Sequence, residues 1–176
     1  MKKNKVSLTL PLDAEIVGSL RVGQRVLLSG TMYSARDAAC ALMFGEDGTG
    51  VPFPAEGGAI YFAGPSPAPP GRPVGSLGPT SSYRMEPFIP DLISAGIRAI
   101  IGKGSVGEKT ARALRDGGCI YLAATGGAGA LLSRAVETCQ VAAFPELGAE
   151  ALHRLEVAFF PALVAIDAAG GNLFRG

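Results

Sequence analysis

The amino-acid sequence predicts an α/β domain built around a largely parallel sheet. Three observations support this prediction: short apolar segments recur along the chain, segments with helical spacing follow several of them, and turns rich in glycine and proline separate the two kinds. The length of 176 residues predicts a single domain over 1–176, and we expect residues 1–5 to be flexible.

The first third of the chain predicts two strands followed by a helix. Residues 6–10 alternate between apolar and polar side chains, and residues 25–28 form a short apolar segment after a glycine. We expect the second strand to end at 29–31. Ser34 and Asp37 then have the spacing of a capping box, which predicts that a helix begins at Ser34.

The middle of the chain predicts a strand, a long loop and an irregular helix. AIYFA at 59–63 is typical of a buried strand, whereas GPSPAPPGRPVG at 64–75 contains too much proline and glycine for regular structure. A helical segment from about Tyr83 to Ser94 would be irregular at its prolines. A further strand is expected at 98–101.

The remaining part of the chain begins with a second capping box. Ser105 and Glu108 predict a helix that runs through Arg115 and stops at a pair of glycines. After this helix we expect, in order, a strand at 119–123, a glycine-opened helix at 126–138, a strand at 141–144 and a tail of one or two strands with a turn.

The charge and hydropathy of the chain exclude several classes of function. Sixteen basic and fifteen acidic residues give a net charge of +1, whereas nucleic-acid and polyanion binders usually carry a clear basic excess. The N-terminal MKKNK is not followed by a signal-peptide pattern, and the apolar run at 157–166 is about half the length that spans a bilayer. We therefore expect a soluble, cytoplasmic protein that binds a small anion locally.

The three cysteines do not encode a metal site or a disulfide framework. Cys40, Cys119 and Cys139 are far apart and include no C-x-x-C pair, so the spacing fits neither zinc nor a self-contained iron–sulfur cluster. Each is predicted to be an inert packing residue, and reduced thiols fit a cytoplasmic location. The sequence therefore predicts no metal bound by this chain alone.

The most direct candidate for a functional site is GSLGPTSSYRMEPF at 75–88 together with IIGKG at 100–104. Both segments are bounded by glycine and proline, and side chains in such loops often serve ligands. The side chains that could bind or act on a ligand are three hydroxyls and two cations: Thr80, Ser81, Ser82, Arg84 and Lys103.

Three cations lie where a predicted strand leads into a predicted helix, namely Arg36, Arg84 and Lys103. Ligands of parallel sheets bind beyond the carboxyl ends of the strands. The helix dipole disfavours cations at helix N-termini, and an anion placed between them would resolve this conflict. Arginine grips a carboxylate with two hydrogen bonds and lysine adds a point charge, so the pattern favours a small dicarboxylate.

Several polar residues of the chain also have a purely structural interpretation. An isolated arginine is usually a solvated surface residue, and Asp37 is well explained as the acid of its capping box. Thr80 could cap the turn after Pro79. His153 lies in an alternating segment without another histidine or a cysteine nearby, so we predict a structural role for it.

A rival motif would make the chain a nucleotide-binding module. GKGSVG at 102–107 satisfies G-x-G-x-x-G between an apolar strand and a helix. A dinucleotide site also requires an acidic residue about twenty positions further on, and LAAT at 122–125 supplies none. The phosphate-binding interpretation is therefore the second choice.

Several long motifs, in order, resemble one protein family. The chain is similar to the β subunit, or the equivalent C-terminal domain, of class I iron–sulfur fumarate hydratase and L-tartrate dehydratase, from about residue 6 to residue 174. The resemblance rests on GTMYSARDAA, AGPSPAPPG, GSLGPTSSYRM, IIGKGSVG, GGCIYLAATGGAGALL and ELGAEALHRLEVAFFPALVAIDAAGG.

The resemblance implies a swivelling β/β/α domain that closes over a [4Fe–4S] cluster held by three cysteines of a partner α subunit. In this family, residues that match Arg36, Arg84 and Lys103 bind the substrate carboxylates, and Ser81 lies beside them in the substrate-binding motif. The residue that matches Thr80 has a proposed part in moving the substrate proton. The family also implies an α2β2 assembly.

The implied reaction is the reversible dehydration of a 2-hydroxy dicarboxylate, malate to fumarate or tartrate to oxaloacetate. The open iron acts as a Lewis acid on the departing hydroxyl while a base removes the proton of the neighbouring carbon. Two positions depart from the family pattern: Ser81 replaces a threonine, and Cys40 replaces a histidine. The identity of the diacid and of the base stays open, as does a non-catalytic, regulatory role for the subunit.

Overall fold

Seven strands form one mixed sheet in the residues that the structure, a computed structural model, describes: 5–125 and 127–175. The strands are β1 (Lys5–Thr9), β2 (Arg25–Ala35), β3 (Ala59–Phe62), β4 (Ala99–Gly102), β5 (Ile120–Ala123), β6 (Val136–Ala143) and β7 (Leu152–Ile166). The α-helices are α1 (Ala14–Ser19), α2 (Asp37–Phe44), α3 (Ile89–Ser94), α4 (Glu108–Asp116) and α5 (Gly129–Leu132). Three 3-10 segments cover Ser82–Phe88, Ser133–Ala135 and Pro145–Glu150.

The sheet closes on itself through its last strand. Strands β1 to β5 are paired in parallel in sequence order, and β7 then pairs antiparallel with β5, with β6 and with β2. The pairing of β7 with both β5 and β2 produces a barrel-like closure. The predicted α/β class is confirmed, but the parallel arrangement holds only for the first five strands. The swivelling arrangement stays a prediction.

Two apolar cores follow from the alternation of side chains along these strands. One core lines the inside of the closed sheet and includes Leu28, Leu155 and Phe160. The other lies between the outer face of the sheet and the helices α2, α3 and α4, with Met43 and Leu92 among its members. The short central strands are buried along their full length, which explains why the sequence shows them as continuous apolar runs.

The predicted helix start at Ser34 is wrong. Strand β2 continues to Ala35 because its second half pairs with β7, where Ser34 lies opposite His153. This pairing holds Ser34 in extended backbone, and its hydroxyl is buried without a hydrogen-bond partner. Helix α2 therefore begins at Asp37, with Arg36 as an N-cap residue that makes no side-chain capping bond.

The second capping box is also wrong, since α4 begins at Glu108 after Gly107 and without help from Ser105. The predicted helix at 126–138 is shorter than expected. Its described part consists of α5 and one 3-10 turn, and Gly126 lies outside the described residues. Strand β6 begins at Val136 because β7 offers it an edge to pair with, and it includes the predicted strand up to Ala143.

The other predicted elements lie within a few residues of their expected positions, and the alternating tail forms the single long strand β7. The predicted flexible segment 1–5 falls mostly outside the described residues, and Lys5 already belongs to β1. Cys40, Cys119 and Cys139 are free thiols. None of the helices in the described part of the chain is long and apolar enough to cross a membrane.

Candidate active site

The predicted site residues lie at one edge of the sheet, where three neighbouring parallel strands end. Arg36 directly follows β2, and Lys103 directly follows β4. The strand between them, β3, ends at Phe62, whose carbonyl oxygen accepts a hydrogen bond of 2.7 Å from the Thr80 backbone N–H. The structure therefore brings the ends of β2 and β4 and the segment around Thr80 to adjacent positions, as expected for parallel strands.

The hydroxyl segment and the lysine loop are joined through their backbones. Ser81 forms an isolated parallel bridge with Lys103, and the Ser82 N–H donates to the Lys103 carbonyl oxygen at 3.0 Å. The Ser82 side chain completes the junction, since its Oγ accepts the Lys103 N–H at 3.1 Å. Lys103 and Thr80 are thus held on two segments with a fixed relative position.

Tyr121 stabilises this junction by hydrogen bonds from inside the protein. Its hydroxyl donates to the Gly104 carbonyl oxygen at 2.8 Å, and it lies 2.9 Å from Ser82 Oγ, which can donate to it in turn. Tyr121 and Ser82 are fully buried, and burial raises the pKa of Tyr121 to about 12. A Cβ on Gly102 would approach Ser82 Oγ to 1.8 Å, so the network requires glycine at this position.

Glu86 caps the N-terminus of α4 in place of the predicted Ser105. Both of its carboxylate oxygens lie 3.1 Å from the Gly107 backbone nitrogen, and one of them also accepts a hydrogen bond from the Thr110 hydroxyl. A carboxylate is stabilised there by the N-terminal end of α4. This arrangement disfavours the nucleotide-binding interpretation, because Glu86 occupies the helix N-terminus that would receive a phosphate.

The two arginines are linked through one carboxylate. Arg84 Nη2 donates to Asp37 Oδ2 at 2.6 Å, and Arg36 Nε lies 3.8 Å from Asp37 Oδ1. Arg36 also reaches Glu150, with 3.1 Å between Nη2 and Oε1. The order of charges is therefore Glu150, Arg36, Asp37, Arg84, with signs that alternate along the row.

This row of charges is not fully satisfied within the described chain. Arg36 Nε and Asp37 Oδ1 are buried atoms without a hydrogen-bond partner. Arg84 is the most accessible member of the row, with 45% of its side chain exposed. Lys103 forms no ion pair with any residue in 5–125 or 127–175. Unused hydrogen-bonding capacity therefore remains on the predicted cations, as an anion site requires.

The cysteines of the chain are not placed as metal ligands. Cys40 and Cys119 are buried, and burial is the first cause that raises the pKa of each thiol from 9.0 to about 12. Both are therefore neutral packing residues at physiological pH, not ready metal ligands. Within the described residues, no group of three or more His, Cys, Asp or Glu side chains is placed to hold a metal ion.

Four residues that organise the site were not predicted from the sequence: Ser82 as a junction, Tyr121, Glu86 and Glu150. The sequence indicates Asp37 only as a capping acid. Tyr121 offered no signal, since an aromatic residue in an apolar strand is normally a packing residue. Glu86 and Glu150 each lie in segments with other acidic residues nearby, so a partner for either could not be identified before the fold was known.

Comparison with known proteins gives the site its family context. The chain is 35% identical over 177 residues to fumarate hydratase 2 of Leishmania major, and 33% identical over 178 residues to the aerobic class I fumarate hydratase of Escherichia coli strain K12. Each comparison covers 97% of this chain but 31% and 32% of the relative. The chain thus spans about a third of the length of these fumarate hydratases.

A shorter relative matches almost from end to end. The chain is 33% identical over 174 residues to the L(+)-tartrate dehydratase subunit beta of Escherichia coli strain K12, which covers 96% of this chain and 86% of the relative. These similarities confirm the family resemblance of the sequence motifs. Because residues 1–176 match the family described as Fumarase C-terminus over their full length, the chain belongs to that family.

Proposed function

We propose that the chain is the β-type component of an iron–sulfur hydro-lyase that reversibly removes water from a 2-hydroxy dicarboxylate. The observation that carries this proposal is that Arg36 follows β2 and that Lys103 follows β4, where it is bridged to Ser81, the neighbour of Thr80. Arg84, in the segment after Thr80, is linked to Arg36 through Asp37. The names of the relatives support the reaction class, since they are fumarate hydratases and a tartrate dehydratase subunit.

The cations of the chain would bind and orient the two carboxylates of the substrate. An arginine can hold one carboxylate by two parallel hydrogen bonds, and each charge-assisted bond contributes about 1.5–3 kcal/mol. Lys103 adds a charge whose backbone is fixed by Ser82. Ser81, which pairs with Lys103, would face the same substrate from the hydroxyl segment.

Thr80 would serve the proton transfer but cannot carry it alone. A threonine hydroxyl is a weak base, so it needs a carboxylate beside it to accept the proton. The two acidic side chains that contact the arginines, Asp37 and Glu150, are themselves bound to Arg84 and Arg36. We therefore propose that the assisting carboxylate comes from the partner component.

The partner component would also supply the [4Fe–4S] cluster. The cysteines of this chain do not fit a cluster site, because two of them are buried and neutral and the described residues contain no set of three ligands. One relative is named as a subunit beta, which supports a separate α subunit. We propose an α2β2 assembly in the cytoplasm, in line with the family pattern.

Reconstitution with the partner tests the proposal. The chain is co-expressed with its α partner, and dehydration of malate and of tartrate is measured under anaerobic conditions; the preferred diacid has the higher kcat/KM. Arg84→Ala should lower kcat/KM at least about tenfold, since it removes a charge-assisted bond. Arg112→Ala, in the exposed face of α4, is the control and should change little.

Two results would contradict the proposal. Full activity of the chain without its partner would show that the cluster and base are not supplied from outside. Equal kcat/KM values for Arg84→Ala and wild type would remove Arg84 from the site and favour a regulatory subunit. A purely nucleotide-binding chain would instead be stabilised against heat by NAD or ATP and not by dicarboxylates.

A further inference from the structure

The contact between Arg36 and Glu150 differs from the contact between Arg84 and Asp37. Arg84 and Asp37 form a hydrogen bond of 2.6 Å between two residues fixed on secondary structure. Arg36 and Glu150 form an ion pair with 3.1 Å between Nη2 and Oε1. Asp37 begins α2, where the helix dipole favours a carboxylate, whereas Glu150 ends a 3-10 segment without a buried residue.

The segment that carries Glu150 has an irregular backbone. Pro145–Glu150 follows Phe144, which has a positive φ of 57°, and the segment is broken at Gly148, where φ is 59° and ψ is −121°. The segment itself is packed, since Leu147 lies against the apolar core and the Ala149 carbonyl oxygen closely approaches Gly64. Release of Arg36 therefore requires only a rotation of the Glu150 side chain, 33% of which is exposed. This rotation breaks an ion pair of 3.1 Å, whereas Asp37 would lose a hydrogen bond of 2.6 Å and its position at the N-terminus of α2, so Glu150 leaves its arginine more easily.

Arg36 itself would stay in place when Glu150 moves. A Cβ on Gly64 would lie 3.1 Å from Arg36 Cδ, which shows that the arginine side chain passes closely over this glycine. Its Nε faces Asp37 Oδ1 at 3.8 Å. These contacts hold the stem and the inner side of the guanidinium, so only its outer nitrogens depend on Glu150.

The charge of the site favours the withdrawal of one carboxylate. The three cations Arg36, Arg84 and Lys103 outnumber the two carboxylates bound to the arginines, which leaves one net positive charge. A dicarboxylate carries two negative charges. Withdrawal of one carboxylate of the site would raise its charge to the matching value of +2, and Glu150 is the less firmly held of the two.

We propose that Glu150 occupies the place of a substrate carboxylate on Arg36, and that a dicarboxylate binds by displacing it while Asp37 keeps hold of Arg84. Glu150 is then a determinant of substrate affinity that acts by competition. The inference rests on the proposed function of the site. It goes beyond that proposed function, because it assigns to Glu150 a role that weakens substrate binding.

The test is a binding measurement that does not depend on turnover. Succinate, an unreactive dicarboxylate, is titrated by calorimetry into the assembled enzyme that contains the full chain. Glu150→Gln keeps the shape of the side chain and removes its charge, so we expect the Kd for succinate to fall about two- to fivefold, the range of a partly exposed ion pair. Glu146→Gln, in the same segment but exposed, should leave the Kd unchanged.

A second variant protects the test against a folding defect. Glu150→Asp keeps the charge but shortens the reach to Arg36, so it should lower the Kd by a smaller factor. An unchanged or higher Kd in these variants would overturn the inference, because Glu150 would then support Arg36 rather than compete for it. The proposed function is tested separately. If Glu150→Gln binds succinate more tightly but the wild-type enzyme has no hydro-lyase activity, the competition by Glu150 is supported and the proposed reaction is rejected.

Discussion

The Tyr121 hydroxyl is the part of the site whose energetic contribution follows most directly from the structure. Tyr121→Phe removes this hydroxyl and keeps the buried ring. The hydroxyl makes two hydrogen bonds, to Gly104 and to Ser82, at 2.8 and 2.9 Å. With about 0.5–1.5 kcal/mol for each bond, the free energy of unfolding should fall by about 1–3 kcal/mol.

Urea unfolding of the purified chain, followed by circular dichroism, measures this loss. The matched control is Tyr83→Phe, because Tyr83 lies in the 3-10 segment of the site and is 67% exposed. Its free energy of unfolding should stay within about 0.5 kcal/mol of the wild type. In thermal unfolding, a loss of about 2 kcal/mol corresponds to a Tm lower by about 4–8 °C for a domain of this size.

A double variant tests whether the hydroxyls of Tyr121 and Ser82 stabilise the protein together. Ser82→Ala removes the second member of the network, so the double variant with Tyr121→Phe should lose less than the sum of the single losses, by about 0.5–3 kcal/mol. A Tyr121→Phe protein as stable as the Tyr83→Phe control would refute the reasoning. Strict additivity would show that the two hydroxyls do not act as one network.

Two further predictions concern packing and pH. Gly102→Ala should destabilise the chain by about 1–3 kcal/mol because the new methyl group would collide with Ser82 Oγ, whereas Gly18→Ala, with open space around it, should be neutral or stabilising; urea unfolding distinguishes them. His153 is the sole histidine, and burial lowers its pKa below 6.5. The unfolded chain therefore takes up a proton before the folded chain does, so stability should fall as the pH drops below about 6.5, by at most about 1.4 kcal/mol per pH unit. NMR titration of the imidazole with a midpoint at or above 6.5 would contradict this, and His153→Gln should remove the effect on stability.

The strands were predictable where burial left a continuous apolar signal. AIYF of β3 and AIIG of β4 are buried at every residue, and their positions followed from the sequence almost to the residue. The closure of the sheet was not predictable. It depends on β7 pairing with β2, where Leu163 lies opposite Arg25, and a contact between residues so far apart leaves no local pattern.

The two capping boxes show how local signals fail for different physical reasons. Ser34 has the right spacing before a helix, but strand pairing with His153 extends β2 past it. Ser105 also has the right spacing, but Glu86 from another segment caps the helix instead. In both cases tertiary contacts overrode a preference of at most about 2 kcal/mol.

The candidate site was predictable in its cations and not in its carboxylates. Arg84 and Lys103 are indicated by their loops, which are bounded by glycine and proline, and Arg36 by its position where a predicted strand leads into a predicted helix. Asp37 and Glu150 determine how the arginines are held, and Glu150 acts across more than a hundred residues of sequence. Ion pairs of this kind depend on the fold and have no periodicity that a sequence could display.

The central place of β7 has a consequence for how the chain folds. This strand pairs with β2, β5 and β6, so it joins the two sides of the sheet, and it is synthesised after all three of these partners. Until it arrives, the apolar residues that line the inside of the sheet remain open to water. Contacts between such distant segments slow folding. A nascent chain of this protein must therefore keep its first five strands from aggregating until residues 152–166 have left the ribosome.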